Sequence, residues 1–312
     1  MKLSILVTFY NQSRYVDETI NMLLSMHYDF DYEILIGDDG SSDDTVSKLE
    51  TWKKKYPDII SYYVMERKEG VLYSPIERAA LNRVNLLKHA KGEYVSFLDG
   101  DDFYYDKDKF IEQIKILDSN PSLVGSATNC YLYWSEDKKE LLNIKEKKNR
   151  TLSAKNYWRY LYYHISTFVF RNVFLGKELS FNPKCFDDNY ITFVFLKYGD
   201  IHYLNKVTSC YRQTDNSVWN EATQIDQDII NLMDYVFELD YNPSFHKEIL
   251  YRHLKEFYSL KKIELTDDKI NKKTKARLDS NNIDIYKLIG TKIPMIKLKM
   301  FMNRVIRKLK RI

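Results

Sequence analysis

The chain contains few of the residues that build thiolate metal sites, disulfide frameworks or phosphate-binding loops. Only three cysteines occur among its 312 residues, and none stands in a CxxC pair or in a Cys/His cluster. A zinc site and a disulfide framework are therefore not indicated, and a reducing, cytoplasmic setting is expected. Neither GxGxxG nor GxxxxGK(S/T) occurs, so a dinucleotide-binding Rossmann site and a P-loop are both unsupported.

Long apolar runs are also missing from the sequence. No stretch approaches the ~18 to 20 apolar residues that a membrane-spanning helix needs. The apolar run at the N-terminus is too short for a signal peptide. Hydrophobic residues make up 44% of the chain and charged residues 29%, as in an ordinary soluble globular protein. We expect one large domain or two smaller ones.

Acidic residues are absent from the C-terminal end of the chain. Residues 290–312 contain eight lysines and arginines, and removing these from the net charge of +4 leaves −4 for the first 289 residues. A general nucleic-acid binder is therefore not indicated. Within 293–312 the apolar residues recur at steps of three and four, which predicts an interfacial helix on an anionic membrane surface. The alternative is a helix packed on its own domain with a solvated basic face. The apolar stripe consists of Met295, Leu298, Met302, Val305, Leu309 and Ile312.

The first hundred residues alternate between short apolar runs and helical patterns, which predicts βαβ units. We expect an α/β fold with a Rossmann-like, mostly parallel sheet flanked by helices, followed by a helical C-terminal region. The first four predicted strands are 3–9, 32–37, 59–64 and 94–98. Further strands are predicted at 124–133, 166–171 and 201–212, and only helices from about residue 220 onward.

Three of the first four strands end in polar residues. The first ends in Thr8 to Asn11, the second in Asp38-Asp39, and the fourth in Asp99-Gly100-Asp101-Asp102. In parallel sheets, ligands bind outside the carboxyl ends of the strands. Carboxylates this close together repel, and at least one would take up a proton unless a cation neutralises them. The simpler alternative is a polar turn in which Gly100 supplies an unusual backbone angle.

A diphosphate held by a metal ion fits acids at this position. Mg²⁺ and Mn²⁺ take carboxylate, phosphate and water oxygens as ligands. In the Asp-x-Asp pair of Asp99 and Asp101, the first acid can lie beside a ribose while the second reaches the ion. A receiver domain has its Asp pair after the first strand, whereas this first strand ends in Thr8-Phe9-Tyr10-Asn11.

Three segments of the chain resemble family 2 glycosyltransferases of the GT-A fold. They are ILVTFYNQSRYVDETI, YEILIGDDGSSDDT and AKGEYVSFLDGDDFYYD, and they occur in the family's order. The resemblance covers roughly residues 1–215. It implies an inverting enzyme that uses a nucleotide-activated sugar and a divalent metal, Mn²⁺ or Mg²⁺. It also implies a catalytic domain over 1–218 and a helical region over 219–312 that ends in the basic amphipathic helix.

The resemblance implies roles for residues at the strand ends. Thr8, Tyr10 and Asn11 would line the nucleotide, and Asp38 or Asp39 would hydrogen-bond the pyrimidine edge.

The acids after the fourth strand would bind the rest of the donor. Asp99 would lie near the ribose, and Asp101 would be the principal metal ligand with Asp102 in support. Arg83 would contact the nucleotide or diphosphate, although Val84 follows it where the family usually has Asn.

The resemblance also implies roles in the second half of the chain. Asp187-Asp188 match the acid pair that the family places at a helix start, with Asp188 the better match for the catalytic base. Taken alone, the pair is more typical of a helix N-cap. His164, in HISTFVFR, would lie on the acceptor and diphosphate side, although a structural histidine is the favoured interpretation. Thr214 stands where the family often has a His that assists the metal or diphosphate. Either Arg212 or Asp215 would replace it, or the diphosphate would be held more loosely.

These features predict transfer of a sugar from a nucleotide sugar, with UDP the expected nucleotide, to a glycan hydroxyl. Bacterial surface polysaccharide or glycolipid assembly is the expected context, at the inner face of the membrane. One alternative is a sugar nucleotidyltransferase, which usually carries a glycine-rich loop that FYNQSRYV lacks. The other is a non-catalytic nucleotide-sugar-binding partner. The presence of both the Asp-x-Asp pair and Asp187-Asp188 argues against it.

Overall fold

A computed structural model describes residues 1–142, 147–156, 163–214 and 222–290. The predicted interfacial helix at 293–312 and Asp215 lie outside these described residues. The chain divides into two compact units. The first comprises Met1–Val71 and Ile76–Asp215, and the second comprises Leu72–Pro75 and Asn216–Ile312.

The first unit begins with four parallel strands in the spatial order β3-β2-β1-β4, which confirms the predicted βαβ pattern. Alternate residues of β1 from Leu3 to Phe9 join one apolar core with buried residues of α1 and α2. The strands are β1 (Leu3–Phe9), β2 (Tyr32–Asp38), β3 (Ile60–Val64) and β4 (Tyr94–Asp99). The helices between them are α1 (Ser13–Leu24), α2 (Thr45–Lys55) and α3 (Pro75–His89).

Beyond β4 the sheet becomes mixed rather than mostly parallel. It continues in the order β4-β9-β6-β10-β5, in which β6 and β10 run parallel while β9 and β5 pair antiparallel with their neighbours. The predicted strand at 166–171 is divided into a 3-10 turn, Ile165–Thr167, and the short strand β9. The elements are β5 (Phe103–Tyr104), α4 (Lys109–Ser119), β6 (Leu123–Ser135), β7 (Lys138–Leu141), β8 (Arg150–Leu152), β9 (Val169–Arg171), α5 (Asp188–Leu196) and β10 (Asp200–Arg212).

The second unit is helical throughout its described part, as predicted. Buried His253 and Glu238 connect two of its helices, with 3.1 Å between Nε2 and Oε2. None of the described helices has both the length and the apolar character needed to cross a membrane. The helices are α6 (Gln224–Tyr241), α7 (His246–Lys262), α8 (Lys272–Ser280) and α9 (Ile285–Gly290).

The strand register brings the polar strand ends to one edge of the sheet. Phe9 of β1 pairs with Asp38 of β2, and Thr8 pairs with Asp99 of β4. The three polar segments singled out in the sequence therefore follow neighbouring strands at the same edge. The fold therefore brings these segments together at the edge where ligands bind in such sheets, and the chemistry of their side chains determines which ligand can bind there.

Candidate functional site

The turn formed by Asp99 to Asp102, here called the acid turn, is fixed to the first strand and helix. The Gly100 N–H donates to Thr8 O (2.8 Å), and the Asp102 N–H donates to Asp99 O (2.9 Å). Thr19 Oγ1 in α1 donates to Gly100 O at 2.8 Å. These bonds hold the acids in place without using their carboxylates.

Gly100 is needed for space rather than for an unusual backbone angle. It is not among the described residues with positive φ, so the simple turn interpretation of this glycine is wrong. A Cβ at Gly100 would lie 2.2 Å from Cδ1 of the Phe9 ring, which is almost completely buried. The acid turn therefore lies directly against the end of β1.

Asp99 accepts hydrogen bonds from two elements. Thr8 Oγ1 donates to Oδ1 at 3.0 Å, and Arg83 Nη2 donates to Oδ1 and Oδ2 at 2.8 and 2.9 Å. Burial would raise the pKa of Asp99, but the charge of Arg83 and the hydrogen bonds from Arg83 and Thr8 lower it below its usual value. Asp99 is therefore ionised at neutral pH.

Arg83 joins the acid turn to the start of α5. Its Nη1 lies 3.1 Å from Asp188 Oδ1, while Nη2 holds Asp99, and the residue is buried. Burial lowers the pKa of Arg83, but the charges of Asp99 and Asp188 outweigh this and raise it. Sequence reasoning placed Arg83 at the nucleotide or diphosphate, whereas the structure shows its guanidinium paired with two carboxylates.

The sequence offered two interpretations of Asp187 and Asp188, a helix N-cap and a catalytic acid, and the two residues differ in their contacts. Asp187 is the N-cap of α5, and its Oδ1 accepts from the Tyr190 N–H at 3.2 Å. Asp188 is the first residue of the helix and contacts Arg83. The cap and the acid facing the site are thus different residues.

Asp102 is the most deeply buried acid of the turn. Its Oδ1 accepts from the Arg212 N–H at 2.8 Å, and its Oδ2 lies 3.5 Å from His164 Nε2. Burial, together with the charges of Asp101 and Asp99, raises the pKa of Asp102 well above its usual value. Burial and the charge of Asp99 likewise raise the pKa of Asp101 to about 6. The turn therefore has an excess of negative charge that a divalent cation would offset.

Arg212 fixes the outer part of the acid turn. Its Nε donates to Asp101 O at 2.7 Å, and its Nη2 donates to Glu18 Oε1 at 2.6 Å. The guanidinium carbon also lies 4.8 Å from the centre of the Tyr15 ring. Arg212 therefore contacts the acid turn through both its backbone and its side chain.

His164 meets the acids of this turn. One ligand atom each from Asp99, Asp102 and His164 lies within 4.8 Å of the other two. The imidazole is buried, stacks on Tyr211 at 4.2 Å between ring centroids, and has its pKa lowered by burial. A neutral imidazole with two carboxylates is a ligand set for first-row divalent metals. A structural role was the favoured interpretation of His164 from the sequence, in which no local pattern places position 164 beside the acids.

The loop after β2 is held together by Asp38. Its Oδ1 accepts from the N–H groups of Gly40 (2.9 Å) and Ser41 (2.8 Å), and its Oδ2 accepts from Ser41 Oγ (2.5 Å). Asn11, with φ of 50°, accepts at Oδ1 from the Ser42 N–H at 2.8 Å. Asp38 and Asn11 therefore shape the loop.

Asp39 and Tyr10 contact two arginines, Arg67 and Arg78, which were not among the residues predicted for the site. The Asp39 carboxylate pairs with Arg67 and with Arg78. The Arg67 guanidinium carbon lies 4.0 Å from the centre of the Tyr10 ring, which is 44% exposed. No local pattern marks these arginines, which are 28 and 39 positions from their partner. Asp38 and Asp39 were both candidates for the pyrimidine edge. The Asp38 carboxylate bonds within its own loop, whereas the Asp39 carboxylate pairs with arginines from other segments.

Comparison with known proteins shows which class this fold and site define. The fold is that of the GT-A glycosyltransferases, and TarS of Staphylococcus aureus, residues 1–349 with UDP-GlcNAc, aligns with a TM-score of 0.60. That alignment has 20% identity and covers 83% of this chain and 73% of TarS. The mannosyltransferase PcManGT of Pyrobaculum calidifontis, in complex with GDP-Man and Mn²⁺, aligns with a TM-score of 0.56 and 14% identity over 99% of this chain and 86% of its own.

The sequence comparison defines the family. The profile of glycosyl transferase family 2 matches residues 4–179, and the chain belongs to that family. A poly(ribitol-phosphate) beta-glucosyltransferase of Bacillus spizizenii is 35% identical over 106 residues, which are 33% of this chain and 15% of that protein. The chain spans about a third or less of the length of the curated relatives it matches.

Replacing Gly100 with Ala tests how closely the acid turn lies against β1. Gly100→Ala should lower the free energy of unfolding by about 1–3 kcal/mol, because its Cβ would overlap the Phe9 ring. Urea denaturation measures this. With Phe9→Leu as a second change, the double variant should lose less than the sum of the two single variants. Additive losses would show that the ring is not the obstacle.

Proposed function

We propose that this chain transfers a sugar from a nucleotide sugar, with UDP as its nucleotide, to a hydroxyl of a glycan acceptor, with inversion at the anomeric carbon. The observation that carries the proposal is the acid turn joined through Arg83 to Asp188. Membership of the family supports glycosyl transfer. The solved TarS complex contains UDP-GlcNAc, and a relative is named for poly(ribitol-phosphate) glucosylation, which supports a role in bacterial cell-surface glycans.

In this proposal the edge of the sheet binds the donor. Thr8, Tyr10, Asn11 and Asp39 line the nucleotide, and Asp38 holds the loop that carries Asp39. The exposed Tyr10 ring offers a surface on which a base can stack.

The ribose and diphosphate would extend from the base toward the acid turn. Asp99 lies near the ribose in this proposal, and its ionised carboxylate accepts hydroxyl hydrogen bonds. Arg212 borders the turn on the diphosphate side.

The acid turn fits a divalent metal, Mn²⁺ or Mg²⁺. The buried Asp102 Oδ2 has no hydrogen bond among the described residues. Burial and the neighbouring carboxylates raise the pKa values of Asp101 and Asp102, and a bound cation would favour the ionised forms of both. Asp101, the more exposed of the two, would be the principal ligand, with Asp102 in support. When bound, the ion would offset the charge that grows on the departing diphosphate.

Asp188 acts as general base in the proposed reaction. It accepts the proton of the acceptor hydroxyl as that oxygen attacks the anomeric carbon, and a single displacement inverts the configuration. Arg83 contacts both Asp188 and Asp99, so it holds the base at a fixed place relative to the donor side. Fixed placement of reacting groups is itself a large source of rate enhancement. We therefore assign Arg83 to positioning rather than to direct contact with the diphosphate.

Changing each acid of the pair to its amide separates catalysis from capping. Asp188→Asn should retain donor binding and lower turnover by about 10²-fold or more, because the amide cannot take the proton. Asp187→Asn is the matched control, since Asn also caps helices and should leave turnover near that of the wild type. UDP release from a panel of UDP-sugars with glycan acceptors gives turnover, and thermal shift with UDP gives binding. Damage confined to Asp187→Asn would contradict the assignment of the base.

We further propose that residues 293–312 bind the chain to an anionic membrane surface and keep it beside a lipid-linked acceptor. The support is the sequence, in which an apolar stripe accompanies eight cations without an acid over residues 290–312.

Vesicle binding tests this role of the tail. Full-length protein should co-sediment with anionic vesicles, and salt should weaken the binding, since each cation near the surface contributes ~1 kcal/mol that salt screens. Deletion of residues 291–312 should abolish co-sedimentation and leave transfer to a soluble acceptor intact. Equal binding by the truncated protein would refute the proposal, and unfolding on truncation would favour a helix packed on its own domain.

A further inference from the structure

We propose that His164 is a direct ligand of the divalent cation, in a site formed with Asp102 and Asp99. The Asp99 carboxylate would then contact the ion as well as the ribose, and Asp101 would remain the principal ligand. Position 214, where the family often has a metal-assisting histidine, is a threonine in this chain. His164 would supply a nitrogen ligand in its place. This inference rests on the metal-dependent transfer proposed above and adds a ligand from a different part of the chain. The 3-10 turn that begins at Ile165, after His164 as its N-cap, would then be part of the metal centre.

The distances between the three side chains suit one ion. A ligand atom from each of Asp99, Asp102 and His164 lies within 4.8 Å of the other two. Ligand atoms at ~2.0 to 2.2 Å from one ion, the usual range for oxygen and nitrogen ligands of small divalent metals, must lie within such a span of one another. Mixed imidazole and carboxylate ligation is common for first-row metals.

The buried oxygen of Asp102 is an independent sign of a missing cation. Asp102 is 1% exposed, and its Oδ2 has no hydrogen-bond partner among the described residues. A buried carboxylate oxygen without a partner is costly. His164 Nε2 lies 3.5 Å from this oxygen, which is longer than a good hydrogen bond. An ion between the two atoms would give Asp102 Oδ2 a partner.

The surroundings of His164 suit a metal ligand. Its Nδ1 lies 2.8 Å from Ser166 Oγ and 3.4 Å from Ser166 N. In the tautomer whose Nε2 can bind a metal, Nδ1–H donates a hydrogen bond to Ser166 Oγ. Thr167 holds the backbone of the same turn, with its N–H and Oγ1 donating to His164 O at 2.9 and 2.7 Å. The ring also stacks on Tyr211. The imidazole is therefore held in one orientation before any ion binds.

The cluster is also accessible from solvent on one side. The Asp99 side chain is 29% exposed, in contrast to the buried Asp102 and His164. Mg²⁺ and Mn²⁺ keep several positions for water and phosphate oxygens. A site with two buried ligands and one exposed ligand leaves such positions on the side where the donor would enter.

Electron paramagnetic resonance of Mn²⁺ tests the ligand directly. Spin-echo modulation from a coordinated ¹⁴N nucleus should appear when Mn²⁺ binds the wild-type chain, with or without UDP. His164→Gln should remove that modulation and weaken Mn²⁺ binding by at least ~10-fold, the loss that even outer-shell partners cause. His202→Gln, a change at a partly buried histidine of β10, is the matched control and should keep the modulation.

The outcomes separate this inference from the proposed function. Mn²⁺ binding that shows no ¹⁴N modulation in the wild type would overturn the role of His164 while leaving metal-dependent transfer intact. Absence of Mn²⁺ binding, even with UDP, would overturn both. If His164→Gln unfolds, His164→Cys should raise the ratio of Zn²⁺ affinity to Mn²⁺ affinity above that of the wild type, because thiolate favours the softer ion. An unchanged ratio in that variant would also contradict the inference.

Discussion

Charge balance at the acid turn is the constraint on which the rest of the site depends. Asp99, Asp101 and Asp102 lie within four residues, and the buried guanidinium of Arg83 pairs with the first of them. Arg83 lowers the pKa of Asp99, whereas burial and the neighbouring carboxylates raise the pKa values of Asp101 and Asp102. An arrangement that leaves two acids in need of a cation is poor for stability alone, but it suits a site that binds a metal with its substrate.

The same guanidinium links that turn to the second half of the unit. Arg83 contacts Asp99 at the end of β4 and Asp188 at the start of α5, which are far apart in sequence. Because Arg83 is buried, its two ion pairs are less exposed to screening than surface pairs. A single side chain thus joins Asp99 to the proposed base, Asp188.

Much of the fold could be predicted from the sequence, because alternating apolar runs and helical patterns are local signals. The strand ends at Thr8, Asp38 and Asp99 were predicted to share an edge, and the register confirms it. The mixed half of the sheet was not predicted, because antiparallel pairing of a strand as short as Val169–Arg171 depends on tertiary contacts.

The site was predictable where its residues are close in sequence and not where they meet only in space. Asp99 to Asp102 could be found from one short motif. Arg67 and Arg78 could not be found, because they pair with Asp39 across 28 and 39 residues. An unusual backbone angle at Gly100 was one alternative from the sequence, but the constraint is the Phe9 ring, which only the folded register brings beside it.

Calorimetric titration of UDP, with Mn²⁺ and in excess chelator, tests the central claim most directly. The claim is that the acid turn holds a metal that in turn holds the donor diphosphate. UDP should bind at least ~10-fold more tightly with Mn²⁺, which corresponds to about 1.4 kcal/mol of coupling. Asp101→Asn should remove that difference while the protein stays folded. Equal UDP affinity with Mn²⁺ and in chelator, in the wild-type protein, would contradict the account.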